Sequence, residues 1–106
     1  MKNITVAELA QRIQNGEQLN IVDVREAHEY EADNIGATLL PLSNIRNFEA
    51  DAIEHLKDQE IILHCKSGVR SMEAGMLLEQ MGFANVCNLT GGITEWRSQL
   101  GDKNIK

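Results

Sequence analysis

The residue of this chain best suited to covalent chemistry is Cys65, in the segment His64-Cys65-Lys66-Ser67-Gly68-Val69-Arg70-Ser71. The apolar run Ile61-Ile62-Leu63 precedes it and an amphipathic stretch opens near Val69, so a strand hands over to a helix there. A cysteine is nucleophilic only as its thiolate, and helix amides, a turn-permissive glycine and nearby cations all lower a thiol pKa. Lys66 and Arg70 supply the cations, and no acid lies between His64 and Ser71. With 10 basic and 16 acidic residues and a net charge of -6, the chain carries a basic island on an acidic background. Chemistry on an anion explains such an island.

If the backbone from Lys66 to Arg70 curls around Cys65, successive N–H groups point inward as an anion-binding nest. Gly68 supplies the positive φ that such a curl needs. Arg70 is expected to close the rim and neutralise an anionic donor through a bidentate contact. The plainer alternative is a buried cysteine at a strand end with ordinary surface cations; the clustering of nest, glycine and cations favours the reactive reading. Lys66 is read either as a solvated side chain or as part of the chemistry. Adjacent residues of a strand face opposite ways, so His64 is poorly placed to deprotonate Cys65 and is read as scaffold. The bowl itself must then hold the thiolate.

Strands alternating with helices must position this loop. Thr5-Val6-Ala7-Glu8 has capping-box spacing and predicts a helix from about Val6 to Asn15, after a short strand at Asn3-Ile4. Leu19 to Val24, Ile61 to His64 and Val86 to Leu89 read as buried strands, and Ala37 to Leu40 as a weaker one ended by Pro41. Phe48 to Leu56 and Val69 to Met81 read as helices, the second with Met72, Met76, Leu77 and Met81 on a core face and Gly82 as its stop. This pattern predicts an α/β fold: a central, mostly parallel sheet of about five strands with helices on both faces. A single domain over residues 1–100 is expected, with a polar tail at 101–106. In such sheets ligand sites lie beyond the carboxyl ends of the strands, where Asp23 to Glu26, Cys65 to Arg70 and Asn88 to Gly92 all fall.

Asp23-Val24-Arg25-Glu26 followed by Glu29-Tyr30, the Cys65 to Arg70 loop, and Gly91-Gly92-Ile93-x-x-Trp96 together resemble a single-domain rhodanese over nearly the whole chain. The resemblance implies the three-layer rhodanese-like fold and a sulfurtransferase. Cys65 would take a sulfane sulfur from a small anionic donor such as thiosulfate and pass it from a persulfide to cyanide or a thiol. Lys66, Ser67, Gly68, Val69 and Arg70 would form the substrate-binding loop, with Asp23 and Arg25 as its structural supports. Where the family usually carries a His-Ile-Pro-Gly-Ala-like stretch, this chain reads Asn34-Ile35-Gly36-Ala37, which puts contacts of that loop in question. Some phosphatases and arsenate reductases share a similar loop. Four residues separate Cys65 from Arg70, whereas the related phosphatases resemble C-x5-R with a wider bowl, so phosphatase or arsenate chemistry is the weaker reading. A persulfide carrier that docks a protein donor or acceptor, with little small-molecule turnover, is the alternative from a different class.

The acidic balance argues against nucleic acid and anionic membrane as partners. Neither a long apolar stretch nor a signal-peptide pattern is seen, and a cytoplasmic protein is expected. Two cysteines without C-x-x-C spacing make neither a disulfide scaffold nor a zinc site, and no cofactor or metal is expected. Cys87 is read as core packing, with resolution of an oxidised Cys65 as the alternative. Gly91-Gly92 is read first as a turn and Trp96 as a core anchor.

Overall fold

The computed structural model describes residues 1–106. Five strands, β1 (Lys2–Ile4), β2 (Ile21–Asp23), β3 (Thr38–Leu39), β4 (Glu60–His64) and β5 (Asn85–Leu89), form one sheet in the order β1-β5-β4-β2-β3. Every pairing is parallel. The interposed helices are α1 (Val6–Gln14), α2 (Ala27–Ala32), α3 (Leu42–Arg46), α4 (Val69–Gln80) and α5 (Gly92–Leu100), with a 3-10 turn at Asp51–Leu56. Parallel neighbours need crossovers, and these helices are the crossovers.

Two apolar layers sandwich the sheet, as side-chain alternation along each strand requires. Ile61, Leu63 and Val22 pack with Ile45, Ile53, Ala74 and Leu78 beneath α3, the 3-10 turn and α4. Ile62, Ile21 and Cys87 pack with Leu9, Ile93 and Trp96 beneath α1 and α5. The strands are short and covered on both faces, so they read as near-continuous apolar runs.

Helix α1 starts as its sequence predicts. The Thr5 hydroxyl accepts from the Glu8 amide at 3.1 Å, and the Glu8 carboxylate accepts from the Thr5 amide at 2.9 Å. Two expectations are corrected. The helix expected from Phe48 to Leu56 is instead a break at Phe48, where φ is +58°, followed by the 3-10 turn. The chain ends α3 at Arg46 and turns before re-entering the core with Ala50 and Ile53. On α4 the inward face is Ser71, Ala74, Gly75 and Leu78. Met72 and Met76 are exposed, and Met81 only borders the core. The sheet lies so close to α4 that small residues face it; the methionines fall on the far side. Helix α2 buries no side chain, which is why no apolar periodicity announced it.

The residues after Gly101 are mostly polar yet docked, and Ile105 packs against the core. The Ile105 amide donates to the Ile35 carbonyl at 2.8 Å, and the Trp96 indole N–H donates to the Lys103 carbonyl at 2.7 Å.

Thr5→Ala removes one half of a reciprocal cap and should cost about 1 kcal/mol, read as a lower urea midpoint with unchanged slope.

Candidate active site

From β2 the chain runs outward to β3, and from β4 it runs the other way to β5, so the sheet's switch point lies between β2 and β4. Asp23 and His64 are register partners at that point, and Cys65 is the next residue. The loop thus stands where strand ends diverge and leave a crevice.

Helix α5 shapes the loop from outside. The Ile93 amide donates to the Cys65 carbonyl at 2.9 Å, and the Thr94 amide donates to the Lys66 carbonyl at 3.0 Å. A side chain at Gly92 would place its Cβ 2.3 Å from the Cys65 carbonyl oxygen, so only glycine allows this approach. The peptide plane of the Lys66 carbonyl also carries the Ser67 amide, which faces the sulfur. The Gly68 N–H donates to Cys65 Sγ at 3.0 Å, with Gly68 at φ +106°.

Ser71, in the first turn of α4, sets its Oγ 3.4 Å from Cys65 Sγ and donates to the Gly68 carbonyl at 3.2 Å. It also contacts Asn88 Oδ1, while Asn88 Nδ2 donates to the Gly68 carbonyl at 3.3 Å. Burial pushes the Cys65 thiol up, but the Ser71 hydroxyl and the Ser71, Gly68 and Ser67 amides more than offset it, and the thiol lies below its ordinary value. Cys65 itself is 1% exposed.

His64 is fully buried, and burial keeps it neutral against the pull of Asp23. Its Nε2 lies 3.5 Å from Asp23 Oδ2, and its Nδ1 approaches only the Cys65 carbonyl, at 3.4 Å. It is scaffold, as strand alternation predicts. Arg25 grips the Asp23 carboxylate through Nε and Nη2, the latter at 2.8 Å, and donates to the Asp33 carbonyl at 2.8 Å. Arg25 therefore joins Asp23, at the end of β2, to the segment carrying Glu29.

Arg70, expected at the rim, is partly exposed and paired with a carboxylate. Its guanidinium is bidentate to the Glu29 carboxylate, at 2.6 and 2.8 Å, which holds the Glu29 carboxyl down at about 2. Lys66 is exposed beside a cavity of about 360 Å³ shared with Arg25, Glu29, Thr94 and Arg97. A second cavity of about 430 Å³ is walled by Ser67, Gly68, Val69 and Met72 on one side and Asn88, Thr90 and Gly91 on the other. Asn34, which stands where the resemblance expected histidine, caps its own turn by accepting from the Gly36 amide at 2.9 Å.

Cys87 pairs with Ile62 in the sheet, three residues before Cys65, about 10 Å along a strand and on the opposite apolar layer. That separation is too great for a disulfide without moving backbone. Burial raises the Cys87 thiol, consistent with packing alone. No group of three or more His, Cys, Asp or Glu residues could hold a metal ion. No helix is long and apolar enough to cross a membrane.

The rhodanese-like domain model matches residues 5–99. The chain belongs to that family. It is 38% identical over 98 residues to the probable adenylyltransferase/sulfurtransferase MoeZ of Mycobacterium tuberculosis, covering 92% of this chain but only 25% of MoeZ. It is 34% identical to the putative sulfurtransferase YtwF of Bacillus subtilis, over 98% of both chains. The crystal structure of a rhodanese-like domain protein from Staphylococcus aureus superposes with a TM-score of 0.79 at 31% identity, over 91% of each chain. Sequence reasoning found this domain's loop but missed Ser71 and Asn88 as neighbours of the sulfur. Ser71 stood six residues past Cys65, within reach of a first-turn argument; Asn88 had only its place at a strand end.

Gly92→Ala should shift the loop and cost about 1–3 kcal/mol, with the Cys65 thiol titrating higher by absorbance at 240 nm. Glu29 has a folded pKa below its ordinary 4.5, so its contribution is full above that value and is lost as pH falls toward about 2. Denaturant titrations of Glu29→Gln should show less stability than wild type near neutrality, and the gap should narrow across that acid window.

Proposed function

We propose that this rhodanese-like domain is a sulfurtransferase in which Cys65 carries the sulfur as a persulfide. The observation that supports it most is a buried thiol held below its ordinary pKa by the Ser71 hydroxyl and by loop amides, with no general base beside it. The Cys65 thiolate attacks the outer, sulfane sulfur of a donor such as thiosulfate. The S–S bond of the donor breaks, sulfite leaves with the electron pair, and Cys65 keeps one extra sulfur as a terminal anion. Cyanide or a thiolate then attacks that sulfur and regenerates the Cys65 thiolate. Splitting one transfer into two predicts ping-pong kinetics. Amides of Ser67 to Arg70 pre-aimed at the terminal sulfur would stabilise it without reorganisation. Thiosulfate as donor and a cytoplasmic setting belong to the proposal, as do the loop roles of Lys66, Ser67, Gly68, Val69 and Arg70 and the supporting roles of Asp23 and Arg25.

One observation favours a second reading. Arg70 is occupied by Glu29 and Cys65 is 1% exposed, so neither is freely offered to a small anion. A carrier that receives sulfur from a docked protein and turns over poorly with small molecules accommodates both facts.

Wild type should form thiocyanate from thiosulfate and cyanide, and Cys65→Ser should lose that activity to background. Equal rates for the two would sink the proposal. Intact mass separates the readings, since a transferase gains one sulfur from thiosulfate alone, whereas a carrier gains it only when its protein donor is present.

A further inference from the structure

Ser71 has one hydroxyl proton and three acceptors within reach: Asn88 Oδ1, the Gly68 carbonyl and Cys65 Sγ. The Gly68 carbonyl, at 3.2 Å and shared with Asn88 Nδ2, is the more distant of the two oxygen acceptors, so the main contest is between Asn88 Oδ1 and the sulfur. All three side chains are buried, at 1%, 0% and 3% exposure for Cys65, Ser71 and Asn88, so water does not take over for a partner that turns away. A hydroxyl with two exclusive arrangements is a two-position rotor.

The charge on Sγ decides the position. While Cys65 is a thiol, S–H donates to Ser71 Oγ and the Ser71 hydroxyl donates to Asn88 Oδ1. Once Cys65 is a thiolate, Sγ can only accept, and a charged acceptor outbids a neutral amide oxygen. The hydroxyl then turns to the sulfur and leaves Asn88 Oδ1 without its donor. When a sulfur is added to Sγ, the negative charge moves to the new terminal atom and Sγ becomes a neutral divalent sulfur. The hydroxyl is released back to Asn88.

We infer that Ser71 is a catalytic residue whose hydroxyl alternates between Cys65 Sγ and Asn88 Oδ1 as the sulfur's charge comes and goes, and that Asn88 is the positioning residue that holds the second station. Asn88 thus works against the thiolate. It keeps the resting sulfur from being over-stabilised, and a less stabilised thiolate is the better nucleophile. The inference rests on Cys65 as the reacting thiol, but its test needs no sulfur transfer. The other titratable or charged groups around the sulfur are Arg70 on α4, Lys66 on the loop, His64 at the end of β4 and Asp23 at the end of β2, and none of them bonds the Ser71 hydroxyl.

Absorbance at 240 nm against pH, and alkylation by iodoacetamide against pH, report the titration midpoint and the rate of the thiolate itself. Ser71→Ala should move the midpoint about one pH unit higher by removing a charge-assisted donor. Asn88→Leu should move it lower by a similar amount. The pH-independent alkylation rate of Asn88→Leu should fall roughly threefold, following the shallow dependence of thiolate nucleophilicity on pKa. In Ser71→Ala/Asn88→Leu the midpoint should equal that of Ser71→Ala alone, because Asn88 acts only through the hydroxyl. A higher midpoint in Asn88→Leu, or additive effects in the double variant, overturns the inference and leaves Asn88 a structural tie to Gly68. Should Asn88→Leu not fold, the side-chain amide resonances of Asn88 decide. They should follow the Cys65 titration in wild type and stop following it in Ser71→Ala; an unchanged dependence in Ser71→Ala overturns the rotor.

Discussion

The site depends on where two carbonyl groups point. The first amides of α5 take the Cys65 and Lys66 carbonyls, and that contact fixes the peptide planes of the loop. A peptide plane is rigid, so turning its carbonyl out turns its N–H in. The Lys66 and Ser67 N–H groups are the other face of the α5 contact, and the Gly68 N–H that donates to Sγ follows one residue on. Gly92 makes the approach possible, since any side chain would collide with the Cys65 carbonyl. Helix α5 is in turn anchored by Trp96, 1% exposed in the layer under α1 and α5. Helix α5 therefore shapes a loop that begins 27 residues earlier, counting from Cys65 to Gly92.

A second set of contacts holds the other rim. Asp23 holds Arg25, Arg25 ties down the Glu29 to Asp33 segment through its carbonyls, and Glu29 holds Arg70. This chain of contacts has a buried ion pair at its inner end and a partly exposed one at its outer end, with backbone carbonyls between them. It makes the basic island of the sequence less basic than it reads. An arginine already bound to a carboxylate steers the loop's shape first, and offers charge to a ligand only at the cost of that pair.

Much of this was legible beforehand. The strand ends, the capping box at Thr5, the placement of Cys65 and the inert orientation of His64 all follow from period, propensity and alternation, which are local. The misreadings share a cause as well. Met72 and Met76 have helical spacing and apolar side chains, but which side of α4 meets the sheet is set by close packing at Ala74 and Gly75. The expected helix from Phe48 broke because the chain must turn after α3 to send Ile53 back into the core. Helix α2 has no apolar stripe at all; it is held by its own capping box at Glu26 and by Arg25.

What the sequence by itself determined was the address of the thiol, because a β-branched run, a glycine and a helix start are neighbours along the chain and act through short-range sterics. It also determined that no base adjacent in sequence could serve Cys65, since alternation along a strand is a property of backbone geometry. Only the tertiary structure decided which groups touch the sulfur and which cation is free. Glu29 stands 41 residues from Arg70, and Asn88 stands 17 from Ser71. Pairs that far apart meet through strand order and helix packing, and no local rule assigns them. The place of Cys65 was written locally, while the environment of its sulfur was assembled across the sheet.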